Sequence, residues 1–157
     1  PCGKALRAQG GVVTGARALI EWLVNRSRRF IYSTAPAPLL GVQLSAAIAV
    51  VRREPRLRQQ VVTLAHALRA ARRAAGLTPC GHETAPIVPV VLGADAAALR
   101  AGAALAEAGF DVRAIRPPTV PESSARLRLT VHAGQEEARF TALAQALAAS
   151  VREAPVA

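Results

Sequence analysis

The sequence predicts an α/β protein that ends in a small α/β sandwich, and three observations carry that expectation. Apolar residues recur every three or four positions in long alanine-rich stretches. Short segments such as Ile87–Leu92 and Arg126–His132 run apolar or alternate strictly. The two patterns follow one another along the chain, which is the order of an α/β architecture.

Residues 3 to 15 hold Gly3, Gly10, Gly11 and Gly15 around Val12-Val13, the pattern of a loop, a brief strand and a turn. From Ala16 to Asn25 the residues Leu19, Ile20, Leu23 and Val24 fall at helical spacing and predict a short amphipathic helix. Phe30 to Thr34 reads as extended. Pro36 and Pro38 then break the chain, and the composition shifts to long helices, which places a domain boundary near Ala35. Leu39 to Arg53 forms the first long helix, and Pro55 stops or kinks it.

In the next helix Leu57, Val61, Leu64, Leu68, Ala71 and Ala75 make an inward stripe, with Arg58, Gln59, Arg69, Arg72 and Arg73 expected outside and Gly76 at the C-terminal cap. Ile87 to Leu92 reads as a strand covered on both faces, while Pro89 argues for a sheet edge. Asp95 is expected to cap a helix that runs to Ala108 and stops at Gly109. Phe110 to Ile115 alternates as a half-buried strand. Arg126 to His132 does so strictly, with Leu127, Leu129 and Val131 inward and Arg126, Arg128, Thr130 and His132 on the other face. A last helix over 136–151 buries Phe140, Leu143, Leu147 and Val151.

The chain has 157 residues, 52% of them hydrophobic, enough to bury a core. Only 3% are aromatic, so burial rests on Leu, Val, Ile and Ala. The apolar run from Leu39 to Val51 is too short to span a bilayer and ends in Arg52-Arg53. Cys2 and Cys80 are too few for a disulfide framework, which fits a reducing compartment. The net charge of +10 comes from arginines in scattered pairs without interleaved aromatic residues, which speaks against nucleic acid. Cys80, His82 and Glu83 lie close in sequence but lack a second ligand pair at zinc spacing. His66 and His132 have no Ser or Cys partner for a hydrolytic triad. With no Met, and with Pro1-Cys2-Gly3-Lys4 opening straight into a loop, the sequence reads as part of a longer chain.

All basic residues but one are arginine, so Lys4 is the only lysine. Between Gly3 and the Gly10-Gly11 turn its amine has room to form a Schiff base, although the residues alone leave open a solvated surface lysine. Five segments then fall in one order and spacing: Gly3-Lys4-Ala5-Leu6, Gln9-Gly10-Gly11, Ile31-Tyr32-Ser33-Thr34, Ile115-Arg116-Pro117-Pro118-Thr119-Val120-Pro121 and Ala125-Arg126-Leu127-Arg128-Leu129. Together they resemble the α-oxoamine synthases, a branch of the fold-type I enzymes that use pyridoxal 5'-phosphate.

That resemblance implies the C-terminal part of an aminotransferase-like fold. Residues 1–35 would close the large cofactor-binding domain, and residues 36–157 would form the small domain. It implies that Lys4 binds the cofactor covalently and serves as catalytic base. Ser33 and Thr34 match a segment whose threonine reaches the cofactor phosphate of the partner subunit, hence a homodimer with shared active sites. Arg128 would grip the substrate carboxylate, Thr119 would touch substrate, and Arg116 would help bind the acyl chain or its carboxylate. Arg116-Pro117-Pro118-Thr119-Val120-Pro121 resembles the branch that condenses L-alanine with a pimeloyl thioester of coenzyme A or acyl carrier protein, in the cytoplasm and without membrane or nucleic acid. A family member that uses glycine or serine, and a folded but non-catalytic C-terminal part, remain as other readings. The sequence departs from the family at Pro1, where a hydroxyl residue would bind the cofactor phosphate, and at Arg7, where glycine is usual.

Overall fold

The computed structural model describes residues 1–152. They fall into two compact units, Pro1–Pro55 and Arg56 onward. Among them no helix is long and apolar enough to cross a membrane.

The first unit opens with an irregular segment and holds three helices, α1 (Arg17–Arg26), α2 (Arg28–Ile31) and α3 (Pro38–Arg53). α1 and α3 match their sequence patterns within two residues, and α3 begins at Pro38, whose missing N–H costs nothing in a first turn. Two expectations fail. Val12 and Val13 do not form a strand but sit exposed in the irregular segment, because no strand among the described residues pairs with them. Phe30 and Ile31 are helical rather than extended. Their N–H groups both donate to the Ser27 carbonyl, and that single turn wins over their β propensity.

The second unit contains α4 (Pro55–Ala74, entered at its second residue), β1 (Ile87–Gly93), α5 (Asp95–Glu107), β2 (Arg113–Ile115), β3 (Ala125–Thr130) and α6 (Arg139–Arg152). The three strands form one antiparallel sheet in the order β1-β3-β2. Its inner face carries Val88, Val90, Leu92, Leu127 and Leu129, all buried. Leu64 and Leu68 of α4, Ala97, Ala98, Ala101 and Leu105 of α5, and Phe140 and Leu147 of α6 complete the core. The alanines keep α5 close to the sheet, so burial is achieved with few large side chains.

β1 lies at the edge, as Pro89 suggests, but it is covered on one face only. Val88, Val90 and Leu92 are buried, whereas Ile87 and Val91 are exposed. A continuous apolar run does not reveal which face is bare. β2 is shorter than its alternating pattern, with Phe110 and Val112 packed against the core ahead of it. Asp95 does not cap α5: it is the first helical residue, where its charge suits the positive helix end, and Ala94 holds the cap position. α6 begins at Arg139, later than its pattern, after turns closed by the carbonyls of Glu136 and Glu137.

The largest departure is in α4. Arg69 and Arg72, expected in water, are buried at 0% and 1% exposure. Arg69 donates to the carbonyls of Ala65, Ala85 and His82, and Arg72 to those of Pro89 and Thr78. The connection over 77–86 folds over them and needs donors for its carbonyls. Burial pushes the Arg72 guanidinium below its ordinary pKa; the Cys80 thiol acts in the opposite sense and the Arg69 charge in the same one.

Gly109 ends α5. Its N–H donates to Ala106 and that of Phe110 to Leu105, a Schellman arrangement that requires the left-handed φ of +82° at Gly109. A Cβ there would meet nothing within 4 Å, so the cost of Gly109→Ala is conformational alone. Chemical denaturation is expected to show a loss of about 1–2 kcal/mol.

Candidate active site

Lys4 sits at the tip of a loop that closes on itself. The Cys2 N–H donates to the Gly10 carbonyl at 2.9 Å, and the Ala8 N–H to the Cys2 carbonyl at 3.1 Å. Cys2 and Ala8 are buried beneath, and Lys4 is exposed with no side-chain partner among the described residues. The Arg7 N–H closes the turn on the Lys4 carbonyl at 3.0 Å, with Arg7 at a left-handed φ of +50°. This is the strain expected where an arginine replaces glycine. Gln43 of α3 donates to the Arg7 carbonyl at 2.8 Å and so fixes the loop.

Ser33 and Thr34 follow α2 and are both exposed. The Ser33 hydroxyl donates to the Arg29 carbonyl, so it closes the end of α2, while the Thr34 side chain has no partner among the described residues.

In the second unit Arg116 and Thr119 occupy the β2–β3 connection. The Thr119 N–H donates to the Arg116 carbonyl at 3.0 Å across the cis Pro117-Pro118 bond. Both side chains are exposed. Arg128 stands in the middle of β3 on the open face of the sheet, between Pro89 of β1 and Arg113 of β2. It has no hydrogen bond or ion pair among the described residues. Neighbouring Arg126 is tied by its Nε to the Ser124 carbonyl at 2.9 Å. Arg128 is thus the arginine of β3 with its whole fork available to a carboxylate.

Sequence reasoning missed Arg113. It pairs directly with Arg128 across the ladder, and only the strand register shows this. The other polar residues near Cys80 are engaged: Glu83 binds Arg73 at 2.6 Å, and the His82 ring takes the Thr84 N–H at 3.3 Å. Cys80 itself donates to the Pro89 carbonyl.

The fold is that of the C-terminal part of a fold-type I pyridoxal-phosphate enzyme. Serine palmitoyltransferase from S. paucimobilis, solved with a PLP–myriocin aldimine, matches with a TM-score of 0.85 at 21% identity, over 98% of this chain and 39% of that one. The 8-amino-7-oxononanoate synthase of Francisella tularensis matches with a TM-score of 0.84 at 23% identity, over 98% and 44%. The sequence pattern of the family described as aminotransferase class I and II covers residues 2–147, and the chain belongs to that family. Among curated relatives, the protein named 8-amino-7-oxononanoate synthase in Anaeromyxobacter dehalogenans strain 2CP-1 is 46% identical over 99% of this chain. One of the same name in Methylococcus capsulatus is 39% identical over 95%. The chain spans 39% and 38% of these two relatives.

Proposed function

We propose that the complete protein is a pyridoxal-phosphate-dependent C-acyltransferase of the cytoplasm that condenses L-alanine with a pimeloyl thioester, giving 8-amino-7-oxononanoate, carbon dioxide and the free thiol carrier. The observation that carries this reading is the exposed Lys4, the only lysine of this sequence and without a side-chain partner among the described residues, in a sequence 46% identical to a protein of that name. The loop fits the cofactor sterically. Gly3 precedes Lys4, and at Gly10, farther along the loop, even an added Cβ would meet nothing within 4 Å. Pro1 offers no hydroxyl to a phosphate, so phosphate binding falls to other residues, among which we propose Thr34, and Ser33 once its hydroxyl leaves the Arg29 carbonyl, acting across a homodimer. Trp22, Phe30 and Tyr32 leave large apolar surface exposed in the first unit, which suits cover by the rest of the protein or by a partner subunit. We assign residues 1–35 to the end of the large domain and 36–157 to the small one, although α3 clusters with the first compact unit.

When bound, the cofactor ring supplies a sink for the electron pair left on the substrate carbon. Lys4 holds the cofactor through its amine, gives way to the amino acid, and takes the proton from the α-carbon of L-alanine at Nζ. Arg128 binds the alanine carboxylate through both branches of its fork, which fixes the bond that is broken first. Thr119, in a turn stiffened by Pro117, Pro118 and Pro121, touches substrate, and Arg116 stands ready for the acyl group.

Turnover by the complete protein tests the reading: L-alanine with a pimeloyl thioester should release carbon dioxide and free thiol, and a preference for glycine or serine would overturn the choice of amino acid. Arg128→Ala is expected to lower kcat/KM for L-alanine about a hundredfold, roughly 3 kcal/mol, since it truncates a charge-assisted bidentate contact. Arg128→Lys should recover only part of this, because an ammonium cannot match two oxygens at once.

A further inference from the structure

Arg113 and Arg128 face one another in register across β2 and β3, so both side chains leave the same open face of the sheet. Like charges so placed repel one another, and an anion between them would offset that repulsion. Asp111 approaches Arg113 Nε at 3.3 Å but is itself exposed, and Arg128 has no carboxylate among the described residues.

Where β2 begins, the two arginines line a cavity of about 540 Å³ together with His132, Arg139, Phe140 and Leu143. Arg139 is held there, its guanidinium 5.3 Å from the centre of the Phe110 ring and donating to the Gly109 carbonyl at 3.5 Å. The cavity therefore has an apolar floor and a rim of three guanidinium groups and an imidazole, with Asp111 as the one carboxylate in its lining. Such a lining suits a ligand that is apolar along its length and carries an anionic oxygen group.

This step rests on the reading above, in which Arg128 is committed to the carboxylate of the amino acid. We propose that Arg113, with Arg139 beside it, is a second anion-binding residue that takes an anionic oxygen group of the acyl donor. That group is the distal carboxylate of the acyl chain or a phosphate of its carrier. Arg113 thereby selects an acyl donor by its charge, whereas Arg128 selects the amino acid.

The test is isothermal titration of the complete protein, with and without saturating L-alanine, using heptanedioate, the uncharged heptanamide and inorganic phosphate. Heptanedioate should bind at least about tenfold more tightly than heptanamide while alanine fills Arg128, and Arg113→Gln should erase that difference. Phosphate binding that is tighter than heptanedioate binding and equally lost in Arg113→Gln would also support the proposal and assign the subsite to the carrier. Absence of anion binding, or affinities unchanged in both Arg113→Gln and Arg113→Glu, would overturn it. Because titration needs no turnover, a protein that binds these anions through Arg113 but does not consume alanine would refute the proposed reaction and leave the subsite standing.

Discussion

Replacing Lys4 by alanine in the complete protein is expected to lower kcat by about a thousandfold or more while leaving stability within about 0.5 kcal/mol. The two halves of that expectation have separate causes. Lys4 is exposed at a loop tip, and its side chain holds nothing in place, so truncation removes no packing and leaves no buried group unpaired. The loop itself is secured by the backbone bonds of Cys2, Ala8 and Arg7 and by Gln43, none of which involves the lysine side chain. Activity is another matter, because truncation removes the amine proposed to hold the cofactor and to take the α-proton. Absorbance of the cofactor imine, borohydride reduction followed by peptide mapping, and a denaturation midpoint would be read on the same preparations. Full turnover by Lys4→Ala, or a reduced tag on any peptide lacking Lys4, would refute the assignment; equal loss of folding and activity would make the residue structural.

Periodicity was enough to place α4, α5 and β3, because each buries residues against the core, and it placed α3 as well, although no α3 side chain is buried. It could not place Val12-Val13 or Phe30-Ile31, whose conformation depends on what surrounds them. A pair of valines becomes a strand only beside another strand, and an aromatic-aliphatic pair follows the turn begun by Ser27. Arg128 was legible as an outward residue from strict alternation, and the substrate role proposed for it rests on the motif around it. Its neighbour Arg113 was not, since register is set by the connection through Pro117-Pro118 and by pairing at a distance. The arginines of α4 illustrate the same limit. Hydropathy assigns them to water, yet the carbonyls of the connection and of Pro89 draw two of them inside.

Arg69→Leu is expected to destabilise the second unit by about 3–5 kcal/mol, read as a lowered urea midpoint with the slope unchanged. Leucine would satisfy the apolar surroundings but would leave the Ala85 carbonyl, 3.1 Å from Arg69, without its guanidinium donor, and the His82 carbonyl, 2.6 Å from Arg69, with only the Ala85 N–H. An acceptor left unpaired costs about 1–3 kcal/mol, and the void under the shorter side chain adds to that. Arg69→Lys should fall between the two, because its ammonium keeps the charge but cannot span carbonyls that lie on separate sides of a planar fork. The effect should reach the substrate as well. The connection that Arg69 secures leads straight into β1, and β1 holds β3 in the register that presents Arg128. A raised KM for L-alanine in Arg69→Lys, with kcat nearly unchanged, is the expected kinetic mark of that linkage. A stability loss below about 1 kcal/mol in Arg69→Leu would mean that water replaces the guanidinium and that the buried arginine is dispensable.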